Sequence, residues 1–195
     1  MRKYFLHVLI ISLVFLFSLA IHAAEDLRIT LRSSARHFSL AQVLTMPYIS
    51  IREKKNWGFY GHGTINHSYE KRYINGDSMV LDHATGLIWH QSGSGKYMKW
   101  SKAKKWLKDL NNMGYAGYHD WRLPTVEEAS SLLEPNKKNR NLYIDPVFSN
   151  NQGYIWTGDK IDSMEAAWRV SFEDGHVYWS RIDYDHYVRP VFSLK

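Results

Sequence analysis

Residues 118–133 read YHDWRLPTVEEASSLL. The second half is a helix start. Thr125 and Glu128 have the T-x-x-E spacing of a capping box, in which hydroxyl and carboxylate satisfy backbone N–H groups that the first turn leaves unpaired. Val126, Ala129, Leu132 and Leu133 give the helix one apolar face. Pro124, just outside the cap, holds Leu123 extended. The first half, YHDWR, is either a structural turn or acid–base machinery. No nucleophile, second carboxylate or metal triad is placed beside His119, Asp120 and Arg122, so no catalytic role follows. The expectation is that Asp120 pairs with Arg122 or a nearby N–H while Trp121 packs inward, because an unpaired buried charge is costly.

Outward from this stretch, WSKAKKWLKDLNNMG places Ala103, Trp106, Leu107 and Leu110 at i, i+3, i+4 and i+7. That spacing predicts a helix, with Ser101 as N-cap and Gly114 just past the end. Lys102, Lys104, Lys105 and Lys108 occupy its other faces. MVLDHATGLIWHQ reads as a β-hairpin around D-H-A-T-G, YIWTGD as a strand, and WRVSF with HVYWSRI as a hairpin around E-D-G. In the terminal YVRPVFSL, Pro190 predicts an edge strand or a bulge. Between residues 27 and 75 the signals are weaker. SLAQVL (39–44) predicts a short helix capped by Ser39, and REKKNWGFYGHGTINHSYEKR (52–72) reads as loops. Strands with two helices make an α+β domain.

The chain opens with Arg2 and Lys3, an apolar run from Phe5 to Ala20, and small residues at Ala20, Ala23 and Ala24. This is the order of a secretory signal peptide, 1–23, and predicts export to the periplasm or beyond. A retained N-terminal anchor is the alternative, although the uninterrupted apolar core, Val8 to Phe17, is short against the ~20 residues of a spanning helix; no second apolar run follows, so no stable membrane span is expected after cleavage. Residues 24–71 then form an N-terminal extension, and 72–195 the domain. The chain has no cysteine. Disulfides, a thiol nucleophile, thiolate metal ligands and lipid attachment are all excluded. The formal net charge of +6 favours anionic partners without identifying one.

DHATGLIW, W-S-x-A-x-x-W-x-x-x-L, GYHDWRLPTVEEASSLL, YIDPVF, YIWTGD, a W-x-V-x-F-x-x-G hairpin and YVRPV follow one another in order. From about Arg72 to Phe192 the chain thereby resembles the Lcl C-terminal domain family, named for the Legionella collagen-like adhesin. The resemblance implies a C-type lectin-like fold, two helices packed on a small twisted antiparallel sheet with long loops. It also implies a binding module, since the named adhesin attaches to sulfated glycosaminoglycans. Members often carry cysteines, and this chain has none. RLPT followed by glutamates is also similar to formylglycine-generating enzymes, whose copper chemistry needs the cysteines missing here.

Two groups are candidates for ligand binding. Trp179, Arg181, Asp183, Tyr184, Asp185 and His186 concentrate rings and carboxylates in a strand-connecting loop suited to sugars, or else form a solvated connection. Lys102, Lys104, Lys105 and Lys108, joined by Lys96 and Lys99, suit sulfates or anionic lipid, or else are a solvated helix face. Asp159, Asp162 and Glu165 make a second acidic loop that could share a weakly bound calcium; no other cofactor is expected. Glu134-Pro135-Asn136 matches the calcium- and mannose-binding tripeptide of C-type lectins, but no W-N-D follows and Pro135 reads as a helix stop. No nucleic-acid recognition motif is present. The expected function is an exported, non-enzymatic adhesion or ligand-binding module for glycans, anionic or sulfated ones included. The alternatives are a protein–protein module of an envelope assembly and a cysteine-less relative of the oxidase.

Overall fold

Residues 28–161 and 164–193 are described by the computed structural model; the expected signal segment 1–23 and Asp162 lie outside the described residues. The chain divides into Met1–Thr30 and Leu31–Lys195. Residues 28–30 form no regular element, and the architecture is that of the second unit.

Capping and periodicity produce the helices. After α1 (Leu40–Val43), which carries the expected Ser39 cap, the principal helix α2 runs Trp100–Met113. It buries Trp100, Ala103, Leu107 and Leu110 and stops at Gly114, whose φ of 66° is the left-handed conformation glycine adopts freely. Ser101 is not the N-cap. Lys99 holds that position without a side-chain bond, because a strand runs straight into the helix. The third helix, α3, spans Val126–Ser131. Its capping box is complete: the Glu128 N–H donates to Thr125 Oγ1 at 3.2 Å, and the Thr125 N–H to Glu128 Oε2 at 2.8 Å.

Eleven strands among the described residues surround the helices. A five-stranded antiparallel sheet has the order β1 (Ile49–Lys55), β2 (Gly58–Gly63), β9 (His176–Arg181), β8 (Ala166–Ser171), β7 (Tyr154–Lys160). A four-stranded sheet has the order β11 (Val191–Ser193), β5 (Leu87–His90), β4 (Asp77–Asp82), β3 (Tyr69–Ile74). A short ribbon joins β10 (Asp185–His186) to β6 (Met98–Lys99). The fold is α+β, with two sheets where one small sheet was expected. The hairpins around D-H-A-T-G and E-D-G are in place, and Pro190 precedes an edge strand.

The loop reading of residues 52–72 is corrected. This stretch supplies most of β1, all of β2 and the start of β3. Its strands are polar, and their order comes from distant partners: β2 pairs with β9 so closely that a Cβ on Gly58 would lie 1.9 Å from the Val177 carbonyl oxygen. The charged side chains of β1 and β3 suit strands at sheet edges. No helix among the described residues is long and apolar enough to cross a membrane.

The core lies between α2 and the four-stranded sheet, where Met79, Leu81, Ile88 and Phe192 meet Ala103, Leu107, Trp121 and Trp156. Asn111 of α2 clamps Trp121 from both sides: its Oδ1 accepts the Trp121 N–H and its Nδ2 donates to the Trp121 carbonyl, both at 2.8 Å. The Trp121 indole N–H donates to the Tyr115 carbonyl. YHDWR is therefore a structural turn. Arg122 does not pair with Asp120; its guanidinium meets fully buried Glu128 with two 2.7 Å bonds. Asp159 is not a loop acid either. It is fully buried, accepting the Arg32 fork at 2.8 and 2.7 Å and the N–H groups of Arg36 and Val126.

Two predictions follow from these burials. Glu128→Gln removes the charge that faces Arg122 and should lower stability by roughly 3 kcal/mol in denaturant unfolding, the usual cost of breaking a buried pair. Burial also pushes the imidazoles of His90 and His186 down to about 3, and that of His176 to about 4, from 6.5. The unfolded chain takes up these protons below pH 6.5 while the folded chain does not. Their contribution is thus complete above pH 6.5 and is lost as pH falls toward 3–4, by up to about 1.4 kcal/mol per pH unit for each imidazole. Thermal unfolding followed from pH 7 to pH 4 should show this fall, and His176→Phe should make it shallower.

Candidate ligand-binding face

Strand alternation separates two faces of the five-stranded sheet. Phe59, Val177, Val170 and Ile155 lie opposite one another in register and are fully buried. The intervening positions face outward: Tyr60 is opposite His176, and Tyr178 is opposite Arg169. Trp57, from the β1–β2 turn, meets the rings of Tyr60, His176 and Tyr178 edge-on at 5.6–5.7 Å. The Arg169 guanidinium lies 3.6 Å from the Tyr178 ring centroid and 5.1 Å from that of Tyr154.

His186 covers one end of this face, its ring 4.3 Å from Trp156. Its Nδ1 is 3.3 Å from Arg169 Nη1, and its Nε2 is 3.0 Å from Ser180 Oγ. A guanidinium only donates, so Nδ1 accepts and the Nε2–H donates to the hydroxyl. Burial keeps this imidazole neutral at pH 7. Arg169 is itself lowered to about 10 by burial, against the pull of Tyr154, Asp174 and Glu173. Among the described residues no carboxylate reaches it within ion-pair distance, and its buried Nε has no hydrogen-bond partner.

The structure brings most of the sequence-predicted candidates together. Arg181, Tyr184, Asp185 and His186 line an open cleft with Arg169 and Tyr178. Trp179 borders that cleft but stands opposite Trp168 on the inner side of the sheet. A second cleft is lined by Lys96, Tyr97, Lys99, Lys102 and Lys105, and Asp185 borders both. The join is a backbone one, since Asp185 pairs in register with Lys99. Lys104 and Lys108 turn instead to a third concavity beside Asn111 and Arg122, and Lys104 Nζ lies 3.9 Å over the Trp100 ring.

Three of the candidate residues are engaged within the protein. His186 is buried and bonded on both nitrogens, so it shapes the cleft from within. Asp183 is held by the Arg181 fork at 3.0 and 2.9 Å, which also lowers its pKa. Asp159, the only described aspartate of the proposed second acidic loop, is consumed by Arg32. Among the described residues no group of three or more His, Asp or Glu is placed to hold a metal ion.

Sequence reasoning missed Arg169, Tyr178, Tyr154, Tyr60 and Trp57. One signal was available. In HVYWS, His176, Tyr178 and Ser180 alternate with Val177 and Trp179, which puts polar and aromatic groups together on one face.

The family model described as the Lcl C-terminal domain matches residues 78–192, from β4 to β11 and including α2 and α3. No curated protein matches the chain. The match spans more than half of the sequence in the order of elements described above, and the chain belongs to the Lcl C-terminal domain family.

Proposed function

We propose that this protein is an exported, non-enzymatic binding module with a C-type lectin-like fold, and that its ligand is an anionic glycan. The observation that carries this reading is the Asp185–Lys99 pairing, which joins the 181–186 loop and the basic end of α2 into one surface. On that surface the exposed cations Lys96, Lys99, Lys102 and Lys105 can meet sulfate or carboxylate groups. The exposed rings of Tyr97 and Tyr184 can lie against the apolar faces of sugar rings. Among the described residues the shortest His–carboxylate contact is His67 Nδ1 with Asp82 at 2.7 Å. Its other ring nitrogen is held by the Ser131 carbonyl, leaving no nitrogen for proton transfer. Export rests on the N-terminal sequence, and the lectin-like fold on the family.

A glycan array probed with and without chelator tests the reading. Sulfated or uronate-containing glycans should bind, more weakly at high salt, and chelator should change nothing because Asp183 and Asp159 already serve arginines. Lys102→Ser with Lys105→Ser should weaken binding about ten-fold, about 1.4 kcal/mol. Lys104→Ser with Lys108→Ser, on the other cleft, should cost less. A blank array, together with an envelope protein recovered by cross-linking, would replace the glycan by a protein partner.

A further inference from the structure

We infer that Arg169, laid on Tyr178, is a subsite for the oxyanion of a sugar acid, a pyranose carrying a carboxylate or a sulfate ester. This rests on the glycan-binding reading and places its specificity on the outer face of the sheet, in the cleft that meets the lysine-lined one at Asp185. The guanidinium lies over the Tyr178 ring, with Tyr154 at 5.1 Å, and His186 bonds it through Nη1. The one group that bonds it is a neutral acceptor, which orients the cation without cancelling it. Among the described residues the other buried or half-buried arginines give their terminal nitrogens to protein oxygens: Arg32 to Asp159, Arg122 to Glu128, and Arg189, whose Nε is also unpaired, to the carbonyls of His90, Gln91 and Ser149. Arg169 has no such partner, and it alone of the four lines the cleft of Tyr184 and His186.

Asp185 is the one carboxylate lining that cleft among the described residues, and the two whose charge acts on Arg169, Glu173 and Asp174, are engaged outside it. Glu173 accepts the Tyr154 hydroxyl at 2.8 Å, and Asp174 sits with Ser171 in the E-D-G turn. A half-buried cation without a counter-ion is a cost in the free protein that an arriving anion relieves. Beyond the Tyr178 ring that the guanidinium covers, Trp57 and Tyr60 carry the aromatic surface along the sheet, their rings meeting edge-on. Charge and stacking plane are thus set side by side, which suits a charged ring better than a free inorganic ion.

The exported chain is titrated with glucuronate, glucose 6-sulfate and methyl glucoside, with the His186 imidazole resonances as the local reporter. Wild type should bind at least one of the two anions about ten-fold more tightly than the neutral sugar, about 1.4 kcal/mol, with His186 shifting. Whichever anion binds names the source of the oxyanion. Arg169→Met should bring anion binding down to the level of the neutral sugar, and Arg169→Lys, which keeps a charge but cannot lie flat in the same way, should fall between. Thermal unfolding checks that each variant is folded, and Arg169→Lys carries the test if Arg169→Met is not. Replacing Lys102, Lys104, Lys105 and Lys108 by Ser should weaken polymeric glycans more than these monosaccharides, whereas Arg169→Met should act on the monosaccharides. Unchanged anion binding in folded Arg169 variants, alongside glycan loss in the lysine variant, overturns the subsite and leaves the glycan reading standing. A wild type that binds neither the monosaccharides nor any anionic polymer overturns both.

Discussion

One buried carboxylate ties this fold together. Asp159, at the end of β7, receives the Arg32 fork and two backbone N–H groups, from Arg36 and from the first residue of α3. A carboxylate without solvent is tolerable only when its oxygens are filled with donors, and four are supplied here. Meeting that requirement fixes three segments at once: the chain entering the domain, the start of α3, and the strand between them. Thr125 adds a bond from its hydroxyl to the Arg32 carbonyl, and Glu127 a second contact to the Arg32 side chain. With α3 so anchored, Glu128 can be fully buried against Arg122, and Arg122 in turn bridges to the edge strand through its backbone N–H to Val191.

The same rule, every buried charge met by donors or acceptors, sets Arg169 apart. Arg189 is more deeply buried and its Nε is likewise unpaired, yet its Nη atoms donate to three carbonyl oxygens, the Phe148 ring lies against it, and it serves to bind loops to the sheet. Arg169 has aromatic rings and one neutral imidazole, and its surroundings open into a cleft. The fold can carry this imbalance because the opposite side of the same strands is densely filled by Val170, Val177 and Ile155.

What the sequence revealed depended on the range of the interaction. Capping boxes, helical spacing and tight turns are set by residues within four or five positions, and α2, α3 and both hairpins were legible for that reason. The 52–72 stretch looked like loop because its strands are polar and its Gly-rich segment pairs with β9, more than a hundred residues away. Asp159 looked like an exposed acid for the same reason, since Arg32 lies 127 positions earlier. Ser101 lost the cap to Lys99 because β6 leads into α2 without a turn. Half of the candidate cleft was visible as a cluster of rings and charges at 179–186. Arg169 was not, because a single arginine between Trp168 and Val170 acquires its chemistry only from Tyr178 on the next strand and His186 folded over it.

The pairing of β2 with β9 bears on where this protein can be cut. A fragment bounded at 78 and 192 would keep α2, α3 and the Arg169 cleft, yet lose Arg32, Arg36 and the strand that covers β9. Asp159 would keep one of its donor groups, and β9 would present a bare row of peptide groups beside apolar Val177, a template for self-association. The segment matched by the family model is therefore smaller than the compact unit Leu31–Lys195 whose donors and strands complete it.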